Sequence, residues 1–121
     1  MTWFARVMGV LTVVYSVVVL LRPRLLVTPT GLVPRGGTLP MPVAVLARAV
    51  GARDTVIGLA MVFAPGGAAL LTALWLRIGS DFADAAIFGL SVTDRSARTK
   101  TVAVAIGYGV LNVIALWLAW P

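Results

Sequence analysis

The chain has 121 residues, 60% hydrophobic and only 12% charged, with a mean hydropathy of +1.02, whereas an ordinary soluble domain carries about 25% charged residues. That composition excludes a conventional water-soluble domain and points to a single integral-membrane unit spanning residues 1–121. The net charge of +6 would suggest nucleic acid in a soluble chain. Here half or more of the basic residues fall in short loops or at helix ends, so anionic membrane lipids are the expected partner and nucleic acid is not. Cysteine and histidine are both absent, which removes disulfides, thiol chemistry and the usual ligands of zinc and haem. No metal or cofactor is therefore expected.

Four apolar segments are long enough to cross a hydrocarbon core, which takes about 20 helical residues. The first runs approximately from Thr2 to Leu21. It exceeds the apolar core of a signal peptide, ends in Arg22 and Arg24, and lacks a small-residue cleavage site, so a retained helix is expected. Arg22-Pro23-Arg24 closes it, and Pro29, Gly31, Pro34, Gly36, Gly37, Pro40 and Pro42 predict a non-helical loop. The second segment covers Pro42 to Phe63. Pro65-Gly66-Gly67 forms a very short turn into the third, Ala68 to Leu90, so these two helices should be antiparallel neighbours. A polar loop from Ser91 to Lys100 leads to the fourth segment, Thr101 to Trp120. The expected fold is all-α, a four-transmembrane-helix bundle.

Arg22, Arg24, Arg35, Arg95, Arg98 and Lys100 all fall in loops one and three, on one side. The other side has only Arg6 near its boundary. Basic loops face the cytoplasm, which puts both termini outside the cell and Trp3, Trp117 and Trp120 together at the outer face as interfacial anchors.

Six ionisable residues interrupt the middle of the second and third segments: Arg48, Arg53 and Asp54, then Arg77, Asp81 and Asp84. A charge at the bilayer centre costs roughly 2.5–3.5 kcal/mol, so six unpaired ones would cost on the order of 15–20 kcal/mol. Counting outward from Gly66 matches Asp54 with Arg77, Arg48 with Asp84, and Arg53 with Asp81 within about 4.5 Å of rise. Arg77, Asp81 and Asp84 share one helix face, which also allows an Arg77–Asp81 bridge within the helix and leaves Asp84 for Arg48. Gly51 and Gly58 on the second helix, with Gly79, Ala83 and Ala86 on the third, should permit a close approach that shortens these pairs. Tyr15 and Ser16 on the first helix and Tyr108 and Asn112 on the fourth lie at related depths.

The run Gly51-Ala52-Arg53-Asp54-Thr55-Val56-Ile57-Gly58, followed by Arg77, Asp81 and Asp84, resembles a family of small four-helix membrane proteins of bacteria and fungi with no assigned function, distantly similar to DoxX-type proteins. The resemblance covers most of the chain. It implies a four-helix membrane fold and supplies no activity. Small multidrug transporters have a similar length, but their essential acid lies in the first helix, which here offers only Tyr15 and Ser16 at depth.

Three functions fit these residues. The first is a cofactor-independent enzyme of isomerase, cyclase or epoxide-opening type acting on an apolar small molecule. Asp54, Asp81 and Asp84 would divide acid and base roles, Arg53 and Arg77 would steady them, and Arg48, Tyr15, Tyr108, Asn112 and Trp75 would contact the substrate. The second is a proton-coupled transporter or channel subunit, which in so short a chain predicts a homo-oligomer. The third is a non-catalytic scaffold whose charges specify helix pairing.

Overall fold

A computed structural model of the protein describes residues 2–33 and 36–121; Arg35 and Pro34 of the first loop lie outside the described residues. The path is α1 (Trp3–Leu21), α2 (Arg24–Val27), α3 (Met41–Phe63), α4 (Ala68–Ser91) and α5 (Arg95–Ala119), with no strand among the described residues.

Proline and glycine set most of the boundaries. Arg22 and Ala64 each precede a proline, which disfavours the α conformation, and their ψ angles of 83° and 139° end α1 and α3. Pro42 sits in the first turn of α3, where the missing N–H has no helical partner to lose. The turn into α4 needs Gly67, whose φ of 89° an L side chain rarely adopts. Two boundaries depart from expectation. The first loop contains the single helical turn α2, and α5 starts at Arg95 rather than Thr101. Asp94 explains the second difference, because its carboxylate accepts from Ala97 N at 3.2 Å and caps the helix. The polar run Arg95 to Lys100 is thus a hydrophilic helical extension, not a loop.

The four long helices alternate in direction. Arg6, at the start of α1, donates from Nη1 to the carbonyls of Met61 and Val62 at 3.0 Å each, satisfying groups at the C-terminal end of α3 that lack helical partners. At the far end Arg48 Nε donates to Leu20 O at 3.2 Å. The tightest packing joins α1 to α3 and α4 to α5, while α3 and α4 touch more sparsely.

Small residues explain the α1–α3 seam. A Cβ on Gly58 would stand 3.1 Å from Gly9 O, one on Gly9 would stand 3.0 Å from Gly58 O, and one on Gly51 would stand 3.0 Å from Ser16 O. The glycines of α3 therefore face α1, not α4 as the sequence suggested. Gly79 has open space, and Ala83 and Ala86 are exposed, so the small residues of α4 do not form the expected seam with α3.

Ala5, Met8, Met61, Leu70, Leu74 and Ala115 form an apolar core toward the end where α1 begins. A smaller cluster of Val27, Val33 and Ala47 lies toward the opposite end. Between them sits the charged group. Large hydrophobic side chains cover much of the outer surface, including Val10, Leu11 and Val14 of α1 and Val104, Val110 and Ile114 of α5. Helices α1 and α5 are long and apolar enough to cross a membrane. The other two long helices match them in length and each carry three ionisable residues. Trp3, Trp117 and Trp120 are exposed at the end where α1 starts and α5 finishes.

Candidate functional site

Five of the six mid-helix charges converge between α3 and α4. Arg77 reaches across from α4, its Nη1 lying 3.1 Å from Asp54 Oδ1, while its Nη2 bonds Asp81 Oδ1 one turn along the same helix. Arg53 clamps two carboxylates. Its Nε donates to Asp54 Oδ1 and its Nη2 to Asp84 Oδ2, both at 3.0 Å. Asp54 Oδ1 is thus the hinge of the network, receiving both guanidinium groups.

The pairing differs from the one expected by depth. Asp54–Arg77 and the intrahelical Arg77–Asp81 pair are present, but Arg53 meets Asp84 rather than Asp81. Arg48 does not pair with Asp84; its exposed side chain turns to the carbonyl of Leu20. Long arginine side chains reach about a helical turn along the axis, so matching depths by Cα alone misassigns partners one turn apart. Arg53 and Asp54, adjacent on α3, also bond each other.

The network has a closed side and an open side. The Arg77 and Asp81 side chains are only 5% and 6% exposed, whereas those of Arg53 and Asp84 are 39% and 23% exposed. On the closed side, Asn112 of α5 donates from Nδ2 to Asp81 Oδ2 at 3.3 Å and to Tyr108 O at 2.9 Å. The Arg77 guanidinium lies 5.8 Å from the centre of the Tyr108 ring, close enough for a cation–π contact. The Tyr108 and Thr12 hydroxyls stand 2.7 Å apart and share the carbonyl of Met8. Two buried polar atoms here, Arg77 Nε and Asn112 Oδ1, have no hydrogen-bond partner among the described residues. On the open side, protein hydrogen bonds reach only Oδ1 of Asp54 and Oδ2 of Asp84, leaving one oxygen on each, together with Arg53 Nη1, unengaged among the described residues.

Two guanidinium groups face three carboxylates. With Arg48 outside the network, the expected balance of three against three does not hold. Fully ionised, the network carries one excess negative charge. No set of residues is arranged to hold a metal ion among those described.

The expected substrate contacts separate. Tyr108 and Asn112 join the closed side, whereas Tyr15 and Trp75 are exposed on outer helix surfaces and, like Arg48, make no hydrogen bond to the network. Thr12 was not anticipated. It lies one turn before Ser16, and this i, i+4 polar pair within an apolar helix carried the signal. Ser16 serves a different contact: Thr55 Oγ1 lies 2.8 Å from Ser16 Oγ and 2.7 Å from Gly51 O, tying α3 to α1 beside the network.

Comparison of the chain with protein-family models, with curated proteins and with solved structures finds no match in any of the three.

Proposed function

We propose that the chain is a multi-pass cell-membrane protein in which α1, α3, α4 and α5 all span the bilayer, with both termini extracytoplasmic. In this reading the Arg53–Asp54–Asp84 edge performs acid/base chemistry on an apolar small molecule arriving from the lipid phase. Pairing makes the charged helices compatible with that setting, since ion-paired side chains facing a bundle interior avoid most of the cost of isolated charges. The basic ends of α1 and α5 support the orientation.

One observation carries the functional reading: a single arginine holds two aspartates, each with a free oxygen, at the open edge of an otherwise closed network. A carboxylate there can take a proton from carbon while a protonated neighbour returns one elsewhere on the same molecule. Isomerisation and cyclisation need nothing further, and opening an epoxide adds only water. The buried Arg77–Asp81–Asn112 side fixes the geometry of Asp54 from behind. It is a positioning element rather than a reacting one.

A second reading, proton-coupled transport by a homo-oligomer, draws on the excess negative charge, which a proton would neutralise. The experiment uses protein in lipid nanodiscs incubated with an apolar extract of host membranes in D2O or in H2(18)O. Mass spectrometry should find protein-dependent deuterium on carbon, or oxygen-18 in an opened epoxide, that disappears with Asp84→Asn. Absence of any protein-dependent label would sink the enzymatic reading. Proton flux into proteoliposomes by the same preparation would favour the transporter.

A further inference from the structure

We infer that the open groove between the end of α4 and the start of α5 binds an anionic glycerophospholipid, with its phosphate on Arg98 and Thr99 and an acyl chain along Val102 and Ala103. The site requires α5 to span the bilayer as proposed. It shares no residue with the Arg53–Asp54–Asp84 edge.

Gly89 of α4 and Arg98, Thr99, Val102 and Ala103 of α5 line the groove. The two helices run close together here, a Cβ on Gly89 standing 3.4 Å from Val102 Cγ2, and the missing side chain of Gly89 leaves the hollow. Arg98 precedes Val102, and Thr99 precedes Ala103, by one helical turn, so the polar pair and the apolar pair lie one above the other on one face. Polar groups come first along α5 and apolar surface follows, which is the order of a lipid entering a bilayer. From Thr101 to Ala119 the helix rises about 28 Å, close to the roughly 30 Å of a hydrocarbon core. Arg98, a turn earlier, therefore stands at the level of the lipid phosphates.

Charge selects the head group. Arg98 is half-buried, and its guanidinium enters none of the ion pairs among the described residues. A Cβ on Gly31 would stand 2.9 Å from Ala97 Cβ, so the first loop packs on the start of α5. That contact brings Arg22 and Arg24 to the same end of the bundle as Arg95, Arg98 and Lys100. The carboxylate beside them, Asp94, is engaged as the α5 cap. The field there favours an anion, as in basic pockets that hold lipid head groups. A phosphodiester accepts from the Arg98 fork at two oxygens and from the Thr99 hydroxyl. In a zwitterionic lipid the head-group ammonium offsets this attraction; in an anionic lipid nothing does.

The test is photolabelling of the full chain in phosphatidylcholine nanodiscs carrying a trace of phosphatidylglycerol with an acyl-chain diazirine, or of phosphatidylcholine with the same chain. Phosphatidylglycerol should label Val102 and Ala103 about fivefold more than phosphatidylcholine does, the preference expected of one basic side chain near a membrane surface. Arg98→Gln should remove that preference. Lys100→Gln deletes the same charge about 3 Å along the axis but roughly 200° around the helix, and should leave the preference in place. Ala103→Trp, which fills the groove from its exposed rim, should suppress the phosphatidylglycerol label. Equal labelling by the two lipids, or equal effects of Arg98→Gln and Lys100→Gln, overturns the site in favour of general surface charge. Phosphatidylglycerol labelling that survives Ala103→Trp overturns the groove. Label from neither lipid on the exposed residues Val104, Val110 and Ile114 would reject the spanning of α5 and the site with it, whereas label there without a preference in the groove would reject the site alone.

Discussion

Helix α3 faces two neighbours and holds them by opposite means. Toward α1 it presents Gly51 and Gly58, so that backbone lies nearly on backbone and the contact is made by close packing. Toward α4 it presents Arg53 and Asp54, so the contact is made by ion pairs across a seam that packs sparsely. If α3 spans the bilayer as proposed, there is no hydrophobic drive between it and its neighbours, and small residues or polar pairs are the two available substitutes. The glycine seam leaves no space between its helices at Gly51 and Gly58. The ionic seam packs sparsely and leaves unengaged carboxylate oxygens among the described residues, which is why the proposed function is placed there.

Several substitutions would break or sharpen that contrast. The largest effect should come from Arg77→Met, which strands Asp54 and Asp81 without their shared buried partner. A loss of about 3–5 kcal/mol is expected, read as a lowered melting midpoint of tryptophan fluorescence in detergent. Adding Asp54→Asn and Asp81→Asn should recover much of it, since the penalty is one of unpaired charge. On the other seam, Gly58→Val would drive a side chain into Val13, Thr12 and the Gly9 carbonyl. That overpacking should cost roughly 1–3 kcal/mol in the same assay while the charged network stays intact. Tyr108→Phe removes the hydroxyl that joins Thr12 and Met8 and should cost about 0.5–1.5 kcal/mol. Gly79→Ala is the control. With open space around it, this helical glycine should gain about 0.5–1 kcal/mol on replacement; a loss would show that α4 packs more tightly than described.

The sequence carried the helical fold well because each long segment is predominantly apolar and most of the boundaries are marked by proline or glycine. It placed Asp54 against Arg77 correctly because the turn at Gly66 fixes depth. It misassigned Arg48, Arg53 and Asp84 because depth says nothing about where a flexible guanidinium ends. The start of α5 was misread because Arg95 to Lys100 looks like a loop until Asp94 is recognised as a cap. The destination of Gly51 and Gly58 depended on which neighbour α3 packs against most closely, and no local pattern encodes that choice.

The most direct test compares Asp81→Asn with Asp84→Asn, two changes of the same chemistry one helical turn apart. Asp81 is buried and bonded to both Arg77 and Asn112, whereas Asp84 meets, among the described residues, only the partly exposed Arg53. Melting midpoint and isotope incorporation would be measured on both. Asp81→Asn should lower the midpoint, while Asp84→Asn should keep it near that of the unmodified protein and lose incorporation. Full incorporation by Asp84→Asn, or equal losses of stability in the two variants, would contradict the division into a closed supporting side and an open reactive edge.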